Sequence, residues 1–199
     1  PLNLGELGAD MLSLSAHKIG GPKGVGALVL NPGVAVEPLF KGGGQERRRR
    51  AGTENVAGIV GFGVAAELAV SDLAKAGEIG ALRDQLEEGA LAVAPDAMIV
   101  AGNVKRLPNT SCIAVPGAKS ETLVIGLDLE GIAVSAGSAC SSGKVEASHV
   151  LGAMGIEPEF ALGAIRVSLG IGTTSHDIER FLGAFGELIK RLKQSPKAA

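Results

Sequence analysis

The sequence predicts an α/β fold, and three observations carry that prediction. Short apolar runs at residues 11–15 and 25–30 flank a glycine-rich turn, the pattern of two strands joined by a tight connection. Beyond Pro95, strand-like and helical stretches alternate, which builds a second layered α/β unit. Composition fits a globular chain: of 199 residues, 46% are hydrophobic and 20% charged, with a net charge of -2, so disorder is a poor overall reading.

In order along the chain, residues 11–15 and 25–30 are the two strands, and the intervening Ala16-His-Lys-Ile-Gly-Gly-Pro-Lys-Gly is a loop. A polar stretch rich in glycine and arginine follows over residues 41–53. Thr53 is placed to cap a helix over about residues 54–70, and Asp72 to cap a second that ends before Pro95. Residues 98–100 are apolar, 111–115 strand-like, 120–129 helical and 132–134 strand-like. A glycine- and serine-rich loop then runs through Gly143. A helix near residues 147–154, a strand over 164–169 and an amphipathic helix from Ser175 or His176 to about Leu192 complete the reading. No repeat of fixed period interrupts it.

The boundary falls near residues 70–76, where an uncharged helix gives way to a charged one. Residues 1–70 read as the C-terminal part of a larger domain, because two strands and one helix bury little by themselves; residues 71–199 read as a small α/β domain. The mean hydropathy of +0.30 suits a piece that packs on chain elsewhere. An opening at Pro1, with neither Met nor a basic-then-apolar leader, marks the expectation of a fragment or processed product.

Several classes of function are disfavoured. The uncharged run at residues 56–66 is shorter than the roughly 20 residues of a membrane span, so no crossing is expected. Trp and Tyr are absent and Phe numbers five, which removes most base-stacking platforms and makes nucleic acid a poor partner. Cys112 and Cys140 form no CxxC pair and have no clustered His, so no metal is expected, and free thiols in a reducing cytoplasm are the expected state.

Two segments carry reactive groups. Ser15, His17 and Lys18 put a hydroxyl, an imidazole and an amine at a strand end, before glycines that allow close backbone approach. A phosphate cradle with a Schiff-base amine fits that set; a solvated lysine on a structural turn is the competing reading. Cys140, within Ser-Ala-Gly-Ser-Ala-Cys-Ser-Ser-Gly-Lys, is surrounded by small residues and reads as an accessible thiol, whereas Cys112 reads as a buried strand residue. Arg47, Arg48 and Arg49 read as a solvated charge run, His149 and His176 as surface or packing histidines, and residues 42–44 as a turn. Residues 137–144 fail as a Walker A loop, since Val145 stands where Ser or Thr is required.

The segment Ser15-Ala-His-Lys-Ile-Gly-Gly-Pro-Lys-Gly resembles the cofactor-lysine motif of class V aminotransferase-like pyridoxal-phosphate enzymes. The loop around Cys140 is similar to that of group I cysteine desulfurases, the NifS and IscS type. Arg50-Ala-Gly-Thr-Glu-Asn resembles the same family's RxGT segment, and Arg166 in Ala-Ile-Arg-Val-Ser-Leu-Gly matches its carboxylate-binding arginine. The resemblance spans residues 10–170. It implies part of a fold type I pyridoxal-phosphate-dependent transferase: the tail of the large domain and the small domain.

It also implies roles. Lys18 binds pyridoxal 5'-phosphate and shuttles a proton, Ser15 and His17 bind its phosphate, and Thr53 reaches the cofactor phosphate of a neighbouring subunit in a homodimer. Arg166 fixes the carboxylate of L-cysteine, and Cys140 accepts its sulfur for an iron-sulfur scaffold or another acceptor protein. A selenocysteine lyase or class V aminotransferase would share the Lys18 motif, and a non-catalytic half is the remaining alternative. The family's ring-stacking histidine, ring aspartate and glutamine would lie upstream of Pro1, so weak or no cofactor binding is implied for residues 1–199 alone.

Overall fold

The computed structural model describes residues 3–136 and 148–194. The chain divides into two compact units, Pro1–Ala74 and Lys75–Ala199. In the first unit, β1 (Met11–Ser15) and β2 (Gly26–Leu30) form an antiparallel pair, registered from Met11 opposite Leu30 to Ser15 opposite Gly26. Close approach explains the last glycine: a Cβ on Gly26 would lie 2.5 Å from the Leu14 carbonyl oxygen. Between the strands, Ala16–Ile19 winds one 3-10 turn, closed by Gly20 at φ 84°, a left-handed conformation that costs glycine little.

Helix α1 (Val56–Asp72) seats one edge on that turn, where a Cβ on Gly61 would come within 2.6 Å of Pro22 Cγ. Its N-cap is Asn55, whose side chain accepts a hydrogen bond from the Gly58 N–H at 3.2 Å. Thr53 therefore does not cap it, contrary to expectation, because the chain enters the helix two residues later. On another face Val56, Val60, Val64 and Leu68 recur at every fourth position and are each more than half exposed. The helical stretch Val56–Val93 contains an 18-residue window long and apolar enough to cross a membrane by length and composition alone. The short uncharged run at its start thus understated its apolarity.

A 3-10 turn (Leu73–Lys75) straddles the boundary, and the first helix of the second unit is α2 (Ala76–Val93). Asp72 is the last residue of α1, so it does not cap α2 as expected. Strands β3 (Met98–Ile99), β4 (Thr110–Ala114), β5 (Ser135–Ala136) and β6 (Ala164–Ser168) form an antiparallel sheet of order β3-β4-β6-β5. On one face Ile113 and Ile165 join Leu86 of α2, Leu123 and Leu127 of α3 (Ser120–Leu129), and Phe185 of α6 (Ser175–Gln194) in the main core. Beneath the other face Ala114 and Ala164 meet Leu151 of α4 (His149–Ala153) and Ala161 of α5 (Pro158–Leu162), a helix the sequence reading missed.

Two local motifs set the boundaries that matter for the site. Gly131 at φ 72° ends α3: its N–H bonds the Asp128 carbonyl at 2.9 Å and the Ile132 N–H bonds that of Leu127 at 2.9 Å, a Schellman arrangement. Residues 132–134 therefore form no strand, although Ile132 and Val134 pack against the main core, and pairing starts instead at Ser135. At α6, Thr174 and Asp177 cap reciprocally: the Thr174 N–H bonds Asp177 Oδ2 at 2.9 Å and the Asp177 N–H bonds Thr174 Oγ1 at 3.3 Å. Phe181 and Phe185, one turn apart on that helix, stack at 5.4 Å between centroids.

Candidate active-site residues

The hairpin turn of the first unit gathers three of the expected residues. Ser15 ends β1 in extended conformation, and the 3-10 turn that follows buries Ala16 while leaving His17 and Lys18 exposed. The turn is closed twice over: the Gly21 N–H bonds the Ala16 carbonyl at 2.8 Å and the Ala16 N–H bonds that of Val25 at 3.1 Å. Nothing lies within 4 Å of where a Cβ on Gly20 would project, so the space at the end of the turn is open. A hydroxyl, an imidazole and a primary amine on one rigid, open turn fit a phosphorylated aldehyde that needs both an anion cradle and a nucleophile.

Thr53 is exposed and lies on another segment of the same unit, beyond Gly52 at φ 106°. Among the described residues no hydrogen bond joins it to Ser15, His17 or Lys18. The segment before it is braced locally: Arg50 lies 5.4 Å from the Phe40 ring centroid, and the Ala51 N–H bonds the Phe40 carbonyl at 3.1 Å. Glu46, Arg47 and Arg48 all have positive φ (48°, 55° and 65°), a run that L-residues adopt at a cost of about 1–2 kcal/mol each. Arg47, Arg48 and Arg49 are exposed.

Arg166 belongs to the second unit. Its strand neighbours Ile165 and Val167 point into the main core, so period-2 alternation puts Arg166 on the opposite face. There it stands directly opposite Cys112 of β4 and Ser135 of β5, one row across three strands, and its Nη2 donates to Ser135 Oγ at 3.5 Å. Among the described residues no carboxylate forms an ion pair with it. The Cys112 thiol is half-buried and free, and burial pushes its pKa up while the Arg166 charge partly offsets that shift. Cys112, expected as a buried strand residue, lies on β4 as expected but is only half-buried, beside a cation. Ser135 was overlooked because its strand was placed three residues early. Cys140 lies outside the described residues, as do the other residues of 137–147.

The Aminotransferase class-V family model matches residues 1–181. The chain belongs to the class-V aminotransferase family. This family chain is 50% identical over 193 residues to a cysteine desulfurase of Cereibacter sphaeroides, covering 97% of this chain and 49% of that protein. It is 45% identical over 194 residues to the cysteine desulfurase NifS of Azotobacter vinelandii, covering 97% of this chain and 48% of that protein. Among solved structures, a NifS-like protein from Rickettsia africae superposes with a TM-score of 0.83 at 40% identity, over 96% of this chain and 50% of that one.

The chain thus spans about half the length of the relatives it matches. Their shared architecture makes it part of the pyridoxal-phosphate-dependent transferase fold that the motifs implied. Class-V aminotransferases and cysteine desulfurases depend on pyridoxal phosphate, and the Ser15-His17-Lys18 turn has the groups to receive it.

Proposed function

We propose that the protein containing this chain is a cysteine desulfurase that takes sulfur from L-cysteine, leaving L-alanine and a persulfide on Cys140. The observation that carries the reading is the exposed turn bearing Ser15, His17 and Lys18, in a chain half identical to a protein of that name. Pyridoxal phosphate, when bound, supplies an electron sink next to the substrate Cα. Lys18 holds the cofactor and moves the proton at Cα. Ser15 and His17 hold the phosphate. Arg166 binds the substrate carboxylate with a planar fork of donors, and the absence of an acidic partner among the described residues leaves that fork free for it.

The Cys140 thiolate attacks the substrate sulfur. The Cβ–S bond breaks, its electron pair stays with the carbon skeleton and is protonated, and the sulfur leaves as the outer atom of the persulfide. Atoms balance: L-cysteine and one thiol become L-alanine and one persulfide. The reading includes a homodimer in which Thr53 reaches the neighbouring subunit's cofactor phosphate, transfer of the persulfide sulfur to an iron-sulfur scaffold or another acceptor protein, and a cytoplasmic setting that keeps both thiols reduced. Residues 1–70 and 71–199 act as the tail of the large domain and the small domain. Protein rather than lipid covers the Val56-Val60-Val64-Leu68 stripe, as it covers the Gly61 edge of the same helix.

The test uses the full-length protein. Lys18→Ala is expected to abolish the borohydride-fixed cofactor adduct and all turnover. Cys140→Ser is expected to keep the adduct and lose persulfide formation. Undiminished alanine release by Cys140→Ser in the presence of reductant would defeat the assignment, and a requirement for an oxoacid acceptor would point to an aminotransferase.

A further inference from the structure

The open face of the second-unit sheet is built around one long side chain. Moving along β6 from the buried Ala164, the next residue on that face is Arg166 and the one after it Ser168. Across from them lie Ala114, Cys112 and Thr110 on β4, and Ser135 opposite Arg166 on β5. The apolar cluster that includes residues of α4 and α5 takes in the Ala114–Ala164 pair and packs against Cys112 in the next row. In the next two rows every residue except Arg166 is small. The guanidinium is exposed, and Cys112, kept protonated by its burial, puts no charge against it.

A long cation among short neighbours is free to sweep through several rotamers, and the entropy of fixing it weighs against ligand binding. Among the described residues Ser135 Oγ is the side-chain atom that hydrogen-bonds it: it accepts from Nη2 at the long end of hydrogen-bond range, on the strand directly opposite. We infer that Ser135 is a positioning residue, holding one edge of the Arg166 guanidinium so that its remaining donors are presented to a carboxylate. This deepens the proposed function and rests on Arg166 as the carboxylate site. The bond is long and exposed, so its removal is expected to weaken carboxylate binding by about five- to tenfold at most.

The test is made on the full-length, cofactor-loaded protein. Ser135→Ala should raise KM for L-cysteine about five- to tenfold and leave kcat within about twofold, since the Arg166–carboxylate contact is made in ground and transition state alike. Ser135→Thr, which keeps the hydroxyl, should restore KM. Calorimetric titration with L-alanine and L-alaninamide gives the second reading: Ser135→Ala should weaken the carboxylate ligand alone. Equal losses for both ligands, a fall in kcat at unchanged KM, or failure of Thr to restore KM would overturn the inference. A parent protein that binds L-alanine but releases none from L-cysteine would defeat the desulfurase reading, while the ligand pair would still decide the role of Ser135.

Discussion

The two units differ in how completely they bury themselves. In Lys75–Ala199 one face of the sheet is closed by helices, and Leu86, Ile113, Leu123, Ile165 and Phe185 are all essentially inaccessible. In Pro1–Ala74 the buried hydrophobics are Ala16 and Ala65, while Val56, Val60, Leu28 and Val29 face solvent. The hairpin unit nevertheless carries the exposed amine, on a turn fixed by backbone hydrogen bonds and by glycine contacts with α1. A reactive turn can thus be shaped locally, whereas the strength of the unit under it depends on what covers its apolar stripe.

The largest effect expected from this contrast is in the closed unit. Phe185→Ala should lower stability by about 3–5 kcal/mol, read by urea unfolding, because the ring is fully enclosed and stacked on Phe181. Val64→Ala should cost about 0.5 kcal/mol or less in residues 1–199, and about 1–2 kcal/mol in a full-length protein that buries the stripe. Equal costs in both settings would break the comparison.

Smaller effects sharpen it through pH. The Cys112 thiol has a folded pKa above its unfolded value, so its contribution to stability is complete below the ordinary thiol range and is lost as pH rises through the folded pKa. Alkaline unfolding should therefore be shallower in Cys112→Ala, and at neutral pH Cys112 should react with iodoacetamide more slowly than free cysteine. Asp177 shifts the other way: the Thr174 hydroxyl and backbone bonds hold its carboxyl below the usual range. Its contribution is present above the unfolded carboxylate value and lost as pH falls through the lowered one. Thr174→Ala should reduce that acid dependence and lower Tm by a few degrees, roughly the effect of one lost cap.

Much of this was legible along the chain, and the misses share a cause. The span of α3 and the start of α6 follow from side-chain periodicity and capping residues that act within a few positions. Asn55 displaced Thr53 as a cap because both are competent and the entry geometry chose between them. Ile132 and Val134 look like a strand because they are apolar at alternate positions; they are a loop whose side chains reach the main core after Gly131 turns the chain. The short helix Pro158–Leu162 lacks enough turns for its periodicity to register.

Sequence alone determined the family motifs and the chemistry of their groups, because an amine, a thiol and a guanidinium keep their reactivity wherever the chain runs. Tertiary structure alone decided that Cys112, Arg166 and Ser135 share one row, because strand register joins residues far apart in sequence and a shift of one position would turn each to the other face. It also decided which apolar residues of α1 meet protein, since amphipathic period says nothing about a helix that is apolar nearly all round.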